Sequence, residues 1–543
     1  MHRTLKALLL GATLLANPAA AAAGDCGTIV IPTGLGVASG ADITSLNPLL
    51  VTSLYNAEAA SMMFQPLIWS NGNTGKIDWS RSLASAISTP DNGTTYNVTL
   101  RPWHWSDGVP VTTADVAYAF NLIKQFGTTY AGYGAGGMPD IVKALNVISP
   151  TRFQVVLTRQ VNPNWYILNG LGQFMPLPKH AWENYSTDQI FQSQSDTSFF
   201  QVVDGPLMPQ KLEIGLDLVM VPNPRWEGPK LHFNRLIWKF VESDGQTVQQ
   251  VESGDLDMAN IPMGLWNAVQ NLPGIYMVNL PPALDFNEIV LNFRNPKVAF
   301  FHDVRVRQAM ADAINQAEMV ALIDHGHGTE IYGPVPPVPP TYLTPAMQAG
   351  HYPVSYDPAK AIALLQEAGY TRGPDGVMQK NGQRLSFTYL NLTGDVLIDQ
   401  ITMMNQAYLK RVGIEMKVRD IEFNQMLALL NNPQADWQAA GLGESAGGYP
   451  TGEELYKTGS FLNSGGYSDP TMDKLIDEST DQPGLQGLYD YEAYASAQQP
   501  VIFQEKEAIS ILARDRIQGV QNFIDPMYNY YPDKLSCTGS AQP

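Results

Sequence analysis

The chain has 543 residues, enough for two large lobes or three to four ordinary domains and for a sizeable core. Its 51 acidic against 33 basic side chains give a formal net charge of −18, which argues against a nucleic-acid partner and against docking on an anionic membrane face. No stretch beyond the amino terminus approaches 18 uninterrupted apolar residues, which excludes a membrane-spanning helix, and nothing resembles a nucleotide-binding P-loop.

At the amino terminus Arg3 and Lys6 precede an apolar run from Ala7 to Leu15, then the helix-breaking Asn17 and Pro18 and the small residues Ala19 to Ala23. This is the pattern of a secretory signal peptide over residues 1–23, cleaved after Ala23. Cys26 follows shortly, but Asp25 stands where a lipoprotein signal has a small residue, so the expected product is periplasmic and not a lipoprotein. The second cysteine, Cys537, lies near the other end. In an exported chain two cysteines are candidates for one disulfide, and no His or Cys sits at metal-ligand spacing from either.

Short strand-like runs then alternate with helical patterns, which predicts a mixed α/β class. In WHWSDGVPV the segment Ser106-Asp107-Gly108 is a turn between strand-like stretches, with Trp103 and Trp105 as packing residues. Gly254 to Asp257 reads as a loop entering a strand. Asp303 is expected to cap a helix carrying Val306, Met310, Ala313, Ile314 and Ala317 on one face. GPVPPVPP, residues 333–340, must be an extended loop. Asp357 and Pro358 open another helix, with Ala361, Leu364, Leu365 and Ala368 as its stripe and Gly369 as its stop.

Two motifs suggest other chemistry. Gly443-Glu444-Ser445-Ala446-Gly447 spells G-x-S-x-G, the nucleophile elbow of serine hydrolases. That fold needs its histidine after the serine, whereas all eight histidines, from His2 to His351, precede Ser445. The flanks disagree too, because Asp436 and Gln438 interrupt the apolar strand an elbow follows. His325-Gly326-His327 offers imidazoles for a divalent metal, but two donors in a glycine-bearing segment are too few and read as a solvent-facing loop. The expectation is therefore no catalytic residue, no metal and no cofactor.

SLNPLL at 45–50, FQPLIW at 64–69, LRPWHWSDGVPVTTADV at 100–116 and DGP at 204–206 resemble the family 5 extracellular solute-binding proteins. So do VPNPRWEG at 221–228, VESGDLDM at 251–258, LNFRNPKVAFFHDVRVRQAMADAI at 291–314 and YDPAKAIALLQEAGY at 356–370. The fragments occur in the family's order across nearly the whole chain after the signal. The resemblance implies an α/β fold of the periplasmic binding protein type II class, with two lobes, a hinged ligand cleft and an extra subdomain in the first lobe. The implied division is 24–282 plus 514–543 for lobe I, with the extra subdomain at about 53–199, and 283–513 for lobe II. It also brings both chain ends into lobe I, where Cys26 and Cys537 can bridge.

The implied function is capture of a short peptide or related small solute by lobe closure and its delivery, as a monomer, to the permease and ATPase subunits of an ABC importer. Where peptide-binding relatives resemble G-W-x-A-D-Y, this chain reads AAGLGESAGGYP at 439–450. In that register Leu442 replaces the tryptophan, Ser445 the acid that anchors a ligand amino terminus, and Ala439 the base that holds its carboxylate. An oligosaccharide, an amine-bearing compound or a nickel complex therefore stays open as the ligand. Glu444, one position from the family acid, is the candidate anchor for a ligand ammonium, since a desolvated cation needs an opposite charge. Gly443 and Ser445 beside it, Tyr449, and Asn47 in SLNPL are the further cleft candidates.

Overall fold

The computed structural model describes residues 25–538, apart from 52, 262, 394, 395 and 461. The expected signal peptide lies outside the described residues. Four larger sheets organise the chain. One runs in the order Thr28–Pro32, Arg235–Lys239, Asp217–Pro222, Leu207–Glu213, its first pair parallel and the rest antiparallel. A second, antiparallel throughout, orders Ala84–Ser88, Thr95–Leu100, Arg152–Leu157 and Val142–Ser149. The helix Thr113–Phe126 packs beside it, started by a capping box between Thr112 and Asp115.

The other two sheets place the site. In the three-stranded sheet Ser510–Arg514 is central, antiparallel to Met258–Asn260 on one side and Ile275–Asn279 on the other. The five-stranded sheet orders Glu415–Ile421, Ser386–Leu392, Ala439–Ser445, Asp285–Leu291 and Ile502–Gln504. The chain thus leaves the three-stranded sheet after Asn279, enters the five-stranded one at Asp285, leaves it after Gln504 and returns at Ser510. Two short segments, 280–284 and 505–509, carry the main chain between the two sheets. Two adjacent crossings of this kind are the covalent geometry of a hinge, because small φ/ψ changes in a few residues rotate whole sheets.

The cores explain why each unit holds together. Trp105, Trp165, Trp182 and Trp238 are fully buried, each removing from water an area that stabilises by roughly 1.5–3 kcal/mol. Trp105 closes the predicted turn: its N–H takes the Val109 carbonyl at 2.9 Å, and Gly108 adopts φ 91°. Gly254 ends the helix Asp244–Ser253 in the left-handed conformation and leads into Met258–Asn260.

The helix predicted from Asp303 is shorter than its apolar stripe suggests. It spans Val304–Ala313, stops with Ile314 extended, and a second helix, Gln316–Leu322, starts behind Asn315, whose side chain accepts from the Glu318 N–H at 3.1 Å. Ala317 therefore belongs to a different helix from Val306; the Asn315 cap offers the backbone an exit that spacing alone does not reveal. The helix Pro358–Glu367 starts at the Asp357 cap and is followed by Gly369 at φ 90°.

Cys26 and Cys537 form a disulfide with Cα atoms 5.1 Å apart. A second tie lies beside it: Arg516 pairs with Asp257 and donates to the carbonyls of Cys26 and Thr28, at 3.2 and 2.8 Å. Reduction is expected to lower the melting temperature, with a ceiling on the order of 5 kcal/mol for so long a loop. Ligand affinity should hold, since neither cysteine lines the cavity described below. Thiol titration of the denatured, unreduced protein checks the bridge, and two free thiols would refute it.

Candidate ligand-binding site

A cavity of about 990 Å³ opens where the two crossings run. Its walls draw on many parts of the chain. Gly36 to Ser39 follow the first strand and are held by side chains of the same wall: the Gly36 N–H donates to Asn260 Oδ1 at 2.7 Å, Asn260 Nδ2 to the Gly34 carbonyl at 2.9 Å, and the Ser39 N–H to Asp244 Oδ1 at 2.8 Å. Glu242 to Gly245 form the start of the Asp244–Ser253 helix. Lys506 to Ser510 supply the returning crossing. Asp285 and Gly443 to Ser445 supply the opposite wall.

That opposite wall is the end of two paired strands, with Asp285 opposite Ser445, Phe286 opposite Glu444 and Asn287 opposite Gly443. The Ala446 N–H donates to the Leu284 carbonyl at 3.0 Å, so the backbone of the even-numbered residues from Ala440 onward faces Asp285–Leu291. The backbone groups of Gly441, Gly443 and Ser445 point to the other edge. There Ser386–Leu392 pairs only with Ala439 and Ala440. Among the described residues no strand covers that edge from Gly441 to Ser445. Gly441 has a steric reason to be glycine, since a Cβ would lie 2.1 Å from the Tyr389 hydroxyl; Gly447 has a conformational one, φ 70°.

The charged groups fall into two sets. On one side, the Lys506 ammonium lies 2.9 Å from Glu507 Oε1 and 3.8 Å from Asp285 Oδ2. Tyr528 donates its hydroxyl to Asp285 Oδ2 at 3.1 Å, and Asn287 Nδ2 donates to Glu507 Oε2 at 3.3 Å. Burial by itself would pull the Lys506 ammonium down, but the Glu507 and Asp285 charges outweigh it and hold the group firmly protonated. Burial would likewise raise Glu507, yet Lys506 keeps its carboxyl below the usual range. Asp285 is pushed up, by burial first, against the pull of Lys506. Its Oδ1 is buried and has no hydrogen-bond partner.

On the other side, Glu444 is pushed up to about 7 by burial and then by the charge of Glu454. Glu288, fully buried, is raised well above the carboxylate range by burial and by Glu444, although Tyr456 donates to it at 3.2 Å. A carboxyl poised near neutrality has no counter-charge at hand and gains one when a cation arrives.

The structure thus brings Gly443, Glu444 and Ser445 into the cavity wall. It places Asn47 and Tyr449 elsewhere. Asn47 is fully buried, its Oδ1 accepting from the Leu49 N–H at 3.0 Å in the SLNPL turn. Tyr449 is buried with its hydroxyl between Asn162 Nδ2 and the Gly484 carbonyl, at 3.0 and 3.1 Å. The Asn47 oxygen and the Tyr449 hydroxyl are occupied by the fold, the Asn47 amide nitrogen is buried without a partner, and neither residue lines the cavity. Asp285, Lys506 and Glu507 were not singled out by any motif; the one signal was three adjacent charges, Glu505, Lys506 and Glu507, interrupting a strand-like run.

The G-x-S-x-G segment does not form an elbow. The strand ends at Ser445 and a loop follows; among the described residues the next helix is Pro470–Asp481, whereas an elbow turns directly into a helix. His325 and His327 both pack on Trp266, with ring centroids 5.4 and 4.9 Å away, and His325 Nε2 lies 3.2 Å from the Met263 carbonyl. Among the described residues no group of three His, Cys, Asp or Glu is placed to hold a metal, and no helix is long and apolar enough to cross a membrane.

Comparison with known proteins agrees with this architecture. Residues 78–463 match the bacterial extracellular solute-binding proteins, family 5 Middle. The chain is 24% identical over 444 residues to the oligopeptide-binding protein AppA of Bacillus subtilis, covering 80% of this chain and 78% of that one. It is 24% identical over 392 residues to the probable D,D-dipeptide-binding periplasmic protein DdpA of Escherichia coli, covering 71% and 70%. Among solved structures, NikA from Brucella suis in complex with Fe(III)-EDTA superposes with a TM-score of 0.78 at 18% identity, over 94% of this chain and 99% of that one. The two-lobed α/β fold of the periplasmic binding protein type II class is common to them.

Proposed function

The chain belongs to the bacterial extracellular solute-binding proteins of family 5, and from that premise we propose that it is the periplasmic binding component of an ABC importer for a short peptide or related solute. The observation that carries the reading is the edge of the strand from Gly441 to Ser445, which no strand among the described residues covers and whose end lies in the wall of the 990 Å³ cavity. An extended backbone fits such an edge by adding a strand, and main-chain hydrogen bonds of that kind tolerate varied side chains. Two similar proteins bear names that fit, one an oligopeptide-binding protein and one a probable D,D-dipeptide-binding protein. In this reading the two crossings are the hinge, and the closed form is favoured by contacts the ligand makes with both walls at once. The protein works as a monomer after export, without a lipid anchor, and separate permease and ATPase subunits energise uptake.

Glu444 is the proposed anchor for the ligand's ammonium. Truncating one member of a desolvated charge pair costs about 2–5 kcal/mol, whereas an exposed glutamate contributes well under about 1. Thermal-shift screening of di- to pentapeptides, amino-acid derivatives, oligosaccharides and nickel, followed by calorimetry, tests the reading. Glu444→Gln is expected to weaken an amine-bearing ligand at least about tenfold. In the unaltered protein, affinity for that ligand should fall as pH drops below about 7, because the unliganded carboxyl then takes a proton. Unchanged affinity in the variant would eliminate Glu444 as the anchor, and a screen in which nothing binds would count against the solute-binding role itself.

A further inference from the structure

We infer that the cavity selects a cationic solute without a free carboxylate, such as a peptide blocked at its carboxyl terminus. This rests on the assignment of the cavity as the solute site. Its described lining residues include the acids Glu242, Asp244, Asp285, Glu444 and Glu507 but one base, Lys506.

That base is already engaged. Its ammonium contacts Glu507 and Asp285 at 2.9 and 3.8 Å, and its side chain is 15% exposed. An incoming carboxylate would have to displace one of them and then sit beside both. Two further features able to hold an anion are also taken. The helix start in the wall is capped by Ser243, whose side chain accepts from the Gln246 N–H, and carries Asp244 in its first turn. The Asn260 amide nitrogen donates to the Gly34 carbonyl and to Asp244 Oδ1, at 2.9 and 3.4 Å. Among the described residues, two buried wall atoms are left without a partner: Asp285 Oδ1, which only accepts while ionised, and the Ser39 hydroxyl, which is neutral and serves an amide as well as a carboxylate. The edge from Gly441 to Ser445, which no strand among the described residues covers, offers both N–H and C=O groups, which suit a neutral peptide backbone. A zwitterionic peptide would gain at its amino end and lose at its carboxyl end; an amide keeps the gain and removes the loss.

The test compares two randomised tetrapeptide pools of identical composition, one with free carboxyl termini and one amidated, by native mass spectrometry of the purified protein. The amidated pool is expected to be retained at least about tenfold better. Equal or better retention of the free acids overturns the inference and leaves the solute-binding assignment standing. Retention of neither pool overturns the inference together with the peptide reading. A second arm uses Asp285→Asn combined with Glu507→Gln, which frees Lys506 for a ligand carboxylate. The ratio of amide to acid retained should fall in that variant, and because it is a ratio it does not depend on how much of the variant folds. An unchanged ratio also overturns the inference.

Discussion

Lys506→Met is expected to destabilise the protein by about 3–5 kcal/mol at neutral pH. The ammonium is the shared counter-charge of Asp285 and Glu507, 3.8 and 2.9 Å away, in a wall where all three side chains are mostly shielded from water. Methionine matches the length of the lysine stem and keeps its packing, so the loss isolates the charge. Two carboxylates would then face each other with the Tyr528 hydroxyl, the Asn287 amide and backbone N–H groups, but no longer the ammonium, to solvate them. The sign with pH follows: without Lys506 both carboxyls titrate higher, so the penalty is largest above neutrality and shrinks as acid protonates them. Urea unfolding of the ligand-free variant measures it. Adding Asp285→Asn and Glu507→Gln to Lys506→Met should recover most of the loss, because an apolar or neutral replacement of a whole buried set costs far less than removal of one member. A midpoint that does not move in Lys506→Met would mean that water screens the cluster.

Ligand-free protein should also be more stable at pH 5.5 than at pH 8, by several kcal/mol in total. Burial pushes Glu58 and Glu492 up to about 8, and Asp324, Glu444 and Glu453 up to about 7. In the unfolded chain these acids titrate near 4, so between about pH 4.5 and 8 the folded state binds more protons than the unfolded one. Stability therefore falls as pH rises through that window, at about 1.4 kcal/mol per pH unit for each group still protonated when folded. Acids held low by a partner, such as Asp303 beside Arg305, act in the opposite sense, but their contribution is lost only below about pH 4. Calorimetric melting across the range checks the sign. Glu58→Gln should flatten part of the slope, since burial of this carboxyl outweighs the hydrogen bonds that hold it down. A melting temperature that climbs from pH 5.5 to 8 would overturn the account.

Of the acids in the second expectation Glu444 lines the cavity, and ionising it there carries a cost in the ligand-free state. A cation entering the cavity relieves that cost, and the relief would appear as binding energy.

Much of the local structure was legible because it is set by neighbours in sequence. The Asp357 cap with Pro358, the Ser106-Asp107-Gly108 turn and the Gly254 helix stop each depend on a few adjacent residues. The ordered motifs carried the family and with it the two-lobed fold. The segment from Gly443 to Ser445 stood out by its glycines and its departure from the relatives' pattern, and it lines the cavity. The break at Ile314 was missed because an apolar stripe continues across it while the Asn315 cap redirects the backbone.

The charge of the cavity is a different matter. Asp285 and Lys506 are 221 positions apart and meet because two strands of one sheet end at the same crossing. Asn47 and Tyr449 have the right chemistry for a cleft, yet the fold buries Asn47 in a local turn that uses its oxygen and gives the Tyr449 hydroxyl to the Asn162 amide. Sequence by itself determined the class, the family and the order of elements, since propensity, capping and motif spacing are local. Only the tertiary structure decided which carboxylates face the solute and which base is already neutralised, because Coulomb energy and desolvation depend on distance in space and on burial, neither of which is a property of position along the chain.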